Sequence, residues 1–223
     1  MDNHHTSHIA QAADRTTNCE IIMKVLLDFQ INPSTVGDWG CGYCSLIAAA
    51  QNVFNLTHAR GFDADWILRD NLLIDRSMFT AVDLSNPALI PKYECDVAFS
   101  IEVGEHLPPE CSRPLVKRLT ESAPIVIFSA AVPGQRGFGH INPHWQSYWA
   151  QIFDSLGYKP FDIFRPNLAA SKGMPFWFKQ NMFLYASANI ELPSMIKKYS
   201  IPHSMMDYCH RSFISETLGH NNK

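Results

Sequence analysis

No apolar run in this 223-residue sequence reaches the length of a membrane span, and its opening, MDNHHTSHIAQAADR, is polar, so neither a membrane partner nor a signal peptide is expected. A basic cluster is also missing. The 18 lysines and arginines are scattered among 21 aspartates and glutamates, for a formal net charge of -3. A protein that tracks a phosphate backbone normally presents a basic face, because counterion release supplies much of its affinity; a long nucleic acid is therefore not the expected partner. Six cysteines are present, at 19, 41, 44, 95, 111 and 209, yet only Cys41 and Cys44 have a Cys-x-x-Cys spacing. No second pair or His-x-x-x-His completes a zinc site. They read as small residues in a tight turn, and the rest as buried thiols in a reducing compartment, which makes the cytoplasm the expected location. There is no internal repeat, and 46% hydrophobic with 17% charged residues describes an ordinary globular chain, long enough for one substantial domain and short for two.

What the chain does contain is a series of strand ends with polar residues. In VGDWGCGYCS (Val36 to Ser45) an apolar strand reaches Asp38, turns through Gly40 and Gly42, and enters a small-residue helix, Leu46 to Asn52. Glycines there permit a tight turn and close approach of a ligand to the backbone, with the amides of the following helix pointing at the same spot. Asp63 in GFDADW lies about one β-α-β half-unit downstream, where an acidic side chain accepts ribose hydroxyls. Asp83 ends a third candidate strand, FTAVDL. The fourth, CDVAFSIEVGEHLP, ends in Glu102, Glu105 and His106. Polar residues at four successive carboxyl ends are the pattern of a ligand lying across the open edge of a parallel sheet. A dehydrogenase is disfavoured, because Ser45 stands where Gly-x-Gly-x-x-Gly requires its last glycine.

With VPGQRGFGHIN and SYWAQIFDSLGY added, this series resembles the class I S-adenosylmethionine-dependent methyltransferases, over roughly residues 32–188, and more narrowly their small-molecule and sugar O-methyltransferase-like members. The sequence departs from the family at one place: Cys44 occupies the third position of the usual Gly-x-Gly-x-Gly, at the helix start, where a small side chain is tolerated. The resemblance implies an α/β fold of three layers, Rossmann-like, with a mostly parallel seven-stranded sheet and an antiparallel edge strand. It implies S-adenosylmethionine as cofactor. Asp38, Gly40, Cys41, Gly42 and Tyr43 would shape the loop around its methionine part, Asp63 and Ala64 would meet the ribose, Asp83 and Leu84 would border the adenine, and Glu102 would complete the cleft.

The rest of the chain fits this frame. Residues 1–17 are polar and His-rich, an arm or first helix in which His4, His5 and His8 read as solvated. Asn18 to Phe29 has apolar residues at helical spacing and is expected to pack on the sheet edge. Helices are expected over Ala64 to Asp70, Glu110 to Glu121 and Trp145 to Leu156, the last stopped by Gly157. Ala123 to Ala131 is a fully apolar fifth strand, and Lys159 to Phe164 and Phe176 to Ala186 supply the last two. Arg165 to Pro175 reads as a mobile loop near the substrate. The tail, residues 189–223, is expected to hold a helix around Met205 to Leu218 and to serve as a homodimer contact or a lid.

Methyl transfer to oxygen needs positioning and removal of the acceptor's proton. His140, in the Gly-flanked loop GFGHIN, is the preferred general base, with His106 beside it; a neutral imidazole suits that task at physiological pH. Glu102, Glu105 and His106 form a cluster able to hold a divalent metal with His140 or His144, a pattern similar to strand ends in some RNA 2'-O-methyltransferases and quinone-pathway O-methyltransferases. The simpler assignment, adopted from the sequence, is metal-free: Glu105 hydrogen-bonds and orients His106, and Glu102 caps a turn. Gln135, Arg136 and Asn142 are placed for recognising hydroxyls of a small-molecule, sugar-like acceptor. Trp39 and Tyr43 are expected to flank the cofactor and Trp145 to line the acceptor pocket, while Tyr148, Trp149 and Phe153 read as core. The rivals to a small-molecule O-methyltransferase are a metal-assisted RNA 2'-O-methyltransferase and a catalytically silent binding subunit of the same fold.

Overall fold

The computed structural model describes residues 12–67 and 69–218. Its strands are short apolar runs, most of them covered on both faces, as a sheet between two helical layers requires. They are β1 (Thr35–Trp39), β2 (His58–Asp63), β3 (Phe79–Ala81), β4 (Val97–Ile101), β5 (Ile125–Ser129), β6 (Tyr158–Phe161) and β7 (Phe183–Ser187), joined in one seven-stranded sheet of order β3-β2-β1-β4-β5-β7-β6. Every pairing is parallel except those of β7, which runs antiparallel between β5 and β6, one place in from the edge.

Alternation along the strands separates two cores. Val36, Phe99, Ile127 and Leu184 face one side, where they meet Ile22, Met23 and Leu26 of α1 (Ala12–Asp28), Ile47 and Ala50 of α2 (Ser45–Val53), and Phe164 and Leu168 of α5 (Phe164–Leu168). Ala98, Val126, Phe128 and Tyr185 face the other, against Leu115, Val116 and Leu119 of α3 (Ser112–Ser122) and Trp149 and Phe153 of α4 (Gln146–Asp154). Trp149 and Phe153 are core, as expected. Gly157, at φ 81°, follows α4 in the left-handed conformation that ends helices.

Several segments differ from the sequence-based expectation. Among the described residues the first helix begins at Ala12, and it packs on α2 and the sheet face rather than the sheet edge. His4, His5 and His8 lie outside the described residues. Where a helix is expected over Ala64 to Asp70, Asp65 and Trp66 lie in a turn and Arg69–Asn71 in a 3-10 turn. The Ala64 N–H is held by the Asp63 carboxylate and the Ile67 N–H bonds the Ala64 carbonyl three residues back, so the segment closes a turn there. Phe176–Asn181 is helix α6, and only β7 extends beyond it. The residues it buries, Phe176, Gln180 and Asn181, recur at helical spacing, which overrides the aromatic β-propensity of the segment. Arg165 to Pro175 is packed rather than mobile: Leu168 and Met174 are buried, and Arg165 bonds Asp162 and the Met206 carbonyl and lies 4.5 Å over the Phe183 ring. α7 (Ser194–Lys197) follows β7. In the tail, helix α8 starts only at Arg211, because Asp207 is drawn to Ser147 and the His210 N–H to Gln180. No helix among the described residues is long and apolar enough to cross a membrane.

Candidate active site

The carboxyl ends of β1, β2, β4 and β5 meet at one edge of the sheet. The turn after β1 is tied to β2, since the N–H groups of Gly40 and Cys41 both donate to the Phe62 carbonyl, at 2.8 and 3.1 Å. Gly40 has φ 85°, and a Cβ there would lie 2.2 Å from Val103, so no other residue fits. Gly42 has φ 53° and nothing within 4 Å of the place a Cβ would take; its outer side is open to a ligand. Cys44 also adopts the left-handed region, at φ 64°, which is why glycine is usual there. The site is shaped to take a small side chain. Cys44 is fully buried with its sulfur 3.2 Å from that of Cys41, and both sulfurs press on Gly61, where a Cβ would come within 3 Å of each. All six cysteines are free thiols.

Asp63 ends β2 half-buried. Its carboxylate accepts the Gly42 N–H at 2.6 Å and the Ala64 N–H at 2.7 Å, and so locks the turn while both oxygens keep unused lone pairs. Burial raises its pKa and the two amide bonds oppose that. Asp38, only 3% exposed, has its pKa pushed up to about 8, first by burial and then by the charge of Asp63. Asp83 lies two residues past β3, exposed, its carboxylate accepting the N–H and hydroxyl of Ser85, while Leu84 is buried in the α3 and α4 core. Trp39 does not flank this cleft: it is fully buried, with its indole N–H on the Pro91 carbonyl. Tyr43 likewise turns its ring into the opposite core. For both, apolar area wins over exposure at a cleft wall.

Glu105 and His106 sit on a 3-10 turn, Gly104–His106, just past β4. The loop after β5 is stapled over that turn. Ile141 and Asn142 donate their N–H groups to the Glu105 carbonyl, both at 2.9 Å, and the Asn142 side chain bonds Gly104 and Ser112. This brings the rings of His106 and His140 to 4.9 Å between centroids. His106 Nδ1 faces the Gly139 carbonyl at 3.2 Å and His140 Nδ1 faces the Gln135 carbonyl at 2.9 Å. A carbonyl only accepts, so each Nδ1 is assigned the hydrogen and each Nε2 keeps its lone pair. Burial, then the neighbouring His140, lowers the pKa of His106.

The carboxylates depart from the orienting roles expected of them. Glu105 is fully buried and neither oxygen has a hydrogen-bond partner of sound geometry, His106 included. Burial and then the charge of Glu102 hold it well above the usual carboxylate range, with the amides of Glu105 and Ala131 opposing. Glu102 does not cap a turn; it accepts from the side chains of Gln135 and Asn181. Glu105, His106 and His140 each bring a potential ligand atom within 4.8 Å of the others, an arrangement suited to a divalent cation. His144 is not part of it, being stacked 3.7 Å from Tyr148. Of the residues expected to read acceptor hydroxyls, Gln135 and Asn142 are buried and structural, and Arg136 is exposed. Trp145 is 40% exposed. Sequence reasoning missed Ser129, Gln180 and Asn181. For Gln180 and Asn181 the signal was a polar pair inside the apolar run FWFKQNMFLYA.

No protein-family model matches the sequence, and no curated protein does. Solved structures share the fold. Magnesium protoporphyrin IX methyltransferase from Synechocystis PCC 6803, with bound SAH, aligns over 84% of this chain and 89% of its own at TM-score 0.56 and 17% identity. The methyltransferase domain of a bacterial Hen1 aligns over 77% and 98%, at 0.56 and 18%. An O-methyltransferase family protein from Burkholderia thailandensis aligns over 75% and 54%, at 0.52 and 10%. The chain thus spans about half the length of the Burkholderia protein, and a quarter of that of the small RNA methyltransferase HEN1. The fold is that of the class I methyltransferases.

Proposed function

We propose that this protein is an S-adenosylmethionine-dependent methyltransferase that transfers a methyl group to a hydroxyl. The observation that carries the cofactor assignment is the open Gly42 turn clasped by Asp63 at the sheet edge, and a protein of the same fold has been solved with bound SAH. Asp63, with lone pairs to spare, takes the ribose hydroxyls. Asp83 and Leu84 border the base, and the turn from Gly40 to Gly42 meets the methionine part. Asp38, buried near the end of β1, shapes the loop around that part together with the two glycines. Free thiols at all six cysteines support the cytoplasmic location.

The acceptor lies over the histidine pair, on a small molecule in the first reading. Either free Nε2 would take the hydroxyl proton, and the cofactor, when bound, would supply the methyl group and keep its sulfur as a thioether. His140 is the preferred base and His106, neutral at physiological pH, its neighbour. Calorimetric titration with S-adenosylhomocysteine tests the cofactor assignment. One site per chain is expected, and no binding by folded protein would overturn it.

A second reading is favoured by the orphaned Glu105 carboxylate: Glu105, His106 and His140 hold a divalent cation, with Glu102 beside them, and the acceptor is a hydroxyl of a nucleotide at an RNA end. Such a cation would supply acidity to a bound hydroxyl. The residues fit it, since Glu105, His106 and His140 each bring a potential ligand atom within 4.8 Å of the others, and a carboxylate with two imidazoles is a normal ligand set. Chelation separates the readings. Activity and folding unchanged after exhaustive chelator treatment support the metal-free reading, and activity lost and restored by magnesium or manganese supports the second.

A further inference from the structure

Glu102 has φ 55°, a conformation that residues with a Cβ seldom adopt. Such a conformation persists only where its surroundings over-determine it. Its N–H donates to the Ser129 carbonyl at 3.0 Å, with the Ser129 hydroxyl 3.1 Å away. Its carboxylate accepts Gln135 Nε2 at 2.9 Å on one oxygen and Asn181 Nδ2 at 3.1 and 3.3 Å across both. The amides behind it form a chain with one direction. The His210 N–H donates to Gln180 Oε1 at 2.6 Å, Gln180 Nε2 donates to Asn181 Oδ1 at 3.0 Å, and Asn181 Nδ2 donates to Glu102. Gln135, Gln180 and Asn181 are buried, so water does not compete for these groups. A backbone N–H cannot accept. It therefore forces Gln180 to present its oxygen to the tail and its NH2 inward, which in turn forces Asn181 to present its NH2 to the carboxylate.

We infer that Asn181 is a positioning residue for Glu102, and that the main-chain N–H of His210 sets the direction of the amide chain that ends on that carboxylate. The C-terminal segment is then a built part of the active site. This rests on the proposed function in treating Glu102 as part of the site, and on the second reading in using a cation as probe.

The test compares wild type, Asn181→Ala, Glu102→Gln, the double variant, His210→Pro, which removes the N–H together with the imidazole that accepts the Ser212 N–H, and His210→Ala, which removes the imidazole alone, for binding of manganese alone by calorimetry. Near-ultraviolet circular dichroism verifies folding. Asn181→Ala is expected to lower manganese affinity about 10- to 100-fold, as loss of a supporting hydrogen bond behind a metal site does. The double variant should bind no more weakly than Glu102→Gln, and His210→Pro should move affinity the same way as Asn181→Ala, whereas His210→Ala should not. Additive losses, or an Asn181→Ala protein that binds like wild type while Glu102→Gln does not, overturn the assignment. An unchanged His210→Pro, or one matched by His210→Ala, removes the tail from it. If wild type binds no manganese, the cation reading fails and the crystal structure of Asn181→Ala decides. Glu102 leaving its left-handed conformation, or its carboxylate displaced, supports positioning; an unmoved Glu102 overturns it.

Discussion

Asp63 has two tasks at the scale of single residues, since the carboxylate that would take the ribose also closes the glycine turn through Gly42. Asp63→Ala is expected to weaken S-adenosylhomocysteine binding by about one to two decades, the worth of hydrogen bonds to a charged acceptor, as calorimetry would read it. His140→Ala should leave that affinity nearly unchanged and lower turnover by about 100- to 10,000-fold, the usual loss of a general base; near wild-type turnover would remove His140 from the mechanism. Asp38 carries a pH signature. Its pKa in the folded state, about 8, lies above the unfolded value, so the folded chain holds a proton that the unfolded chain has lost over the interval between them. The contribution of Asp38 to stability is therefore expected to be greatest below the unfolded value of about 4 and to be lost as pH rises to about 8. Asp38→Asn, which keeps the shape without the charge, should flatten that slope in urea unfolding curves recorded across the range. The nucleotide-turn residues were legible in sequence because glycines and a following acid impose a local geometry. Glu102 was not: its conformation and partners come from residues 27 to 79 positions away.

Among the elements, α5 carries the tie that binds the tail to the sheet. Arg165 pairs with Asp162, donates to the Met206 carbonyl, and covers the rings of Phe183 and Tyr208. Both charged partners are largely buried, 11% and 20% exposed, so the pair is little screened. Arg165→Ala is expected to cost about 1.5 to 3 kcal/mol, measured as a lowered urea midpoint, because it leaves Asp162 and a carbonyl without their donor. A change within error would return the segment to the mobile loop that its Pro, Gly and Ser content suggests. Helix α4 was legible from its apolar stripe, whereas α6 was hidden, because its aromatic residues favour a strand and only the burial of Gln180 and Asn181 makes the helical spacing visible.

For the whole molecule, cofactor binding to the native state alone should raise the unfolding free energy by about 2.7 kcal/mol at 100 times Kd. For a chain of this size that is about 5 to 10 °C in thermal midpoint, and a flat midpoint across S-adenosylhomocysteine concentrations would contradict the proposed function. The sequence by itself determined the sheet, its helical layers and the sites of its functional turns, because hydrophobic periodicity and glycine punctuation act over a few residues. Tertiary structure decided the rest. Whether Glu105 finds a partner, which histidine nitrogen stays free, and how the amides of residues 180 and 181 face depend on loops that meet from distant parts of the chain, and a hydrogen bond is satisfied or lost over less than an ångström.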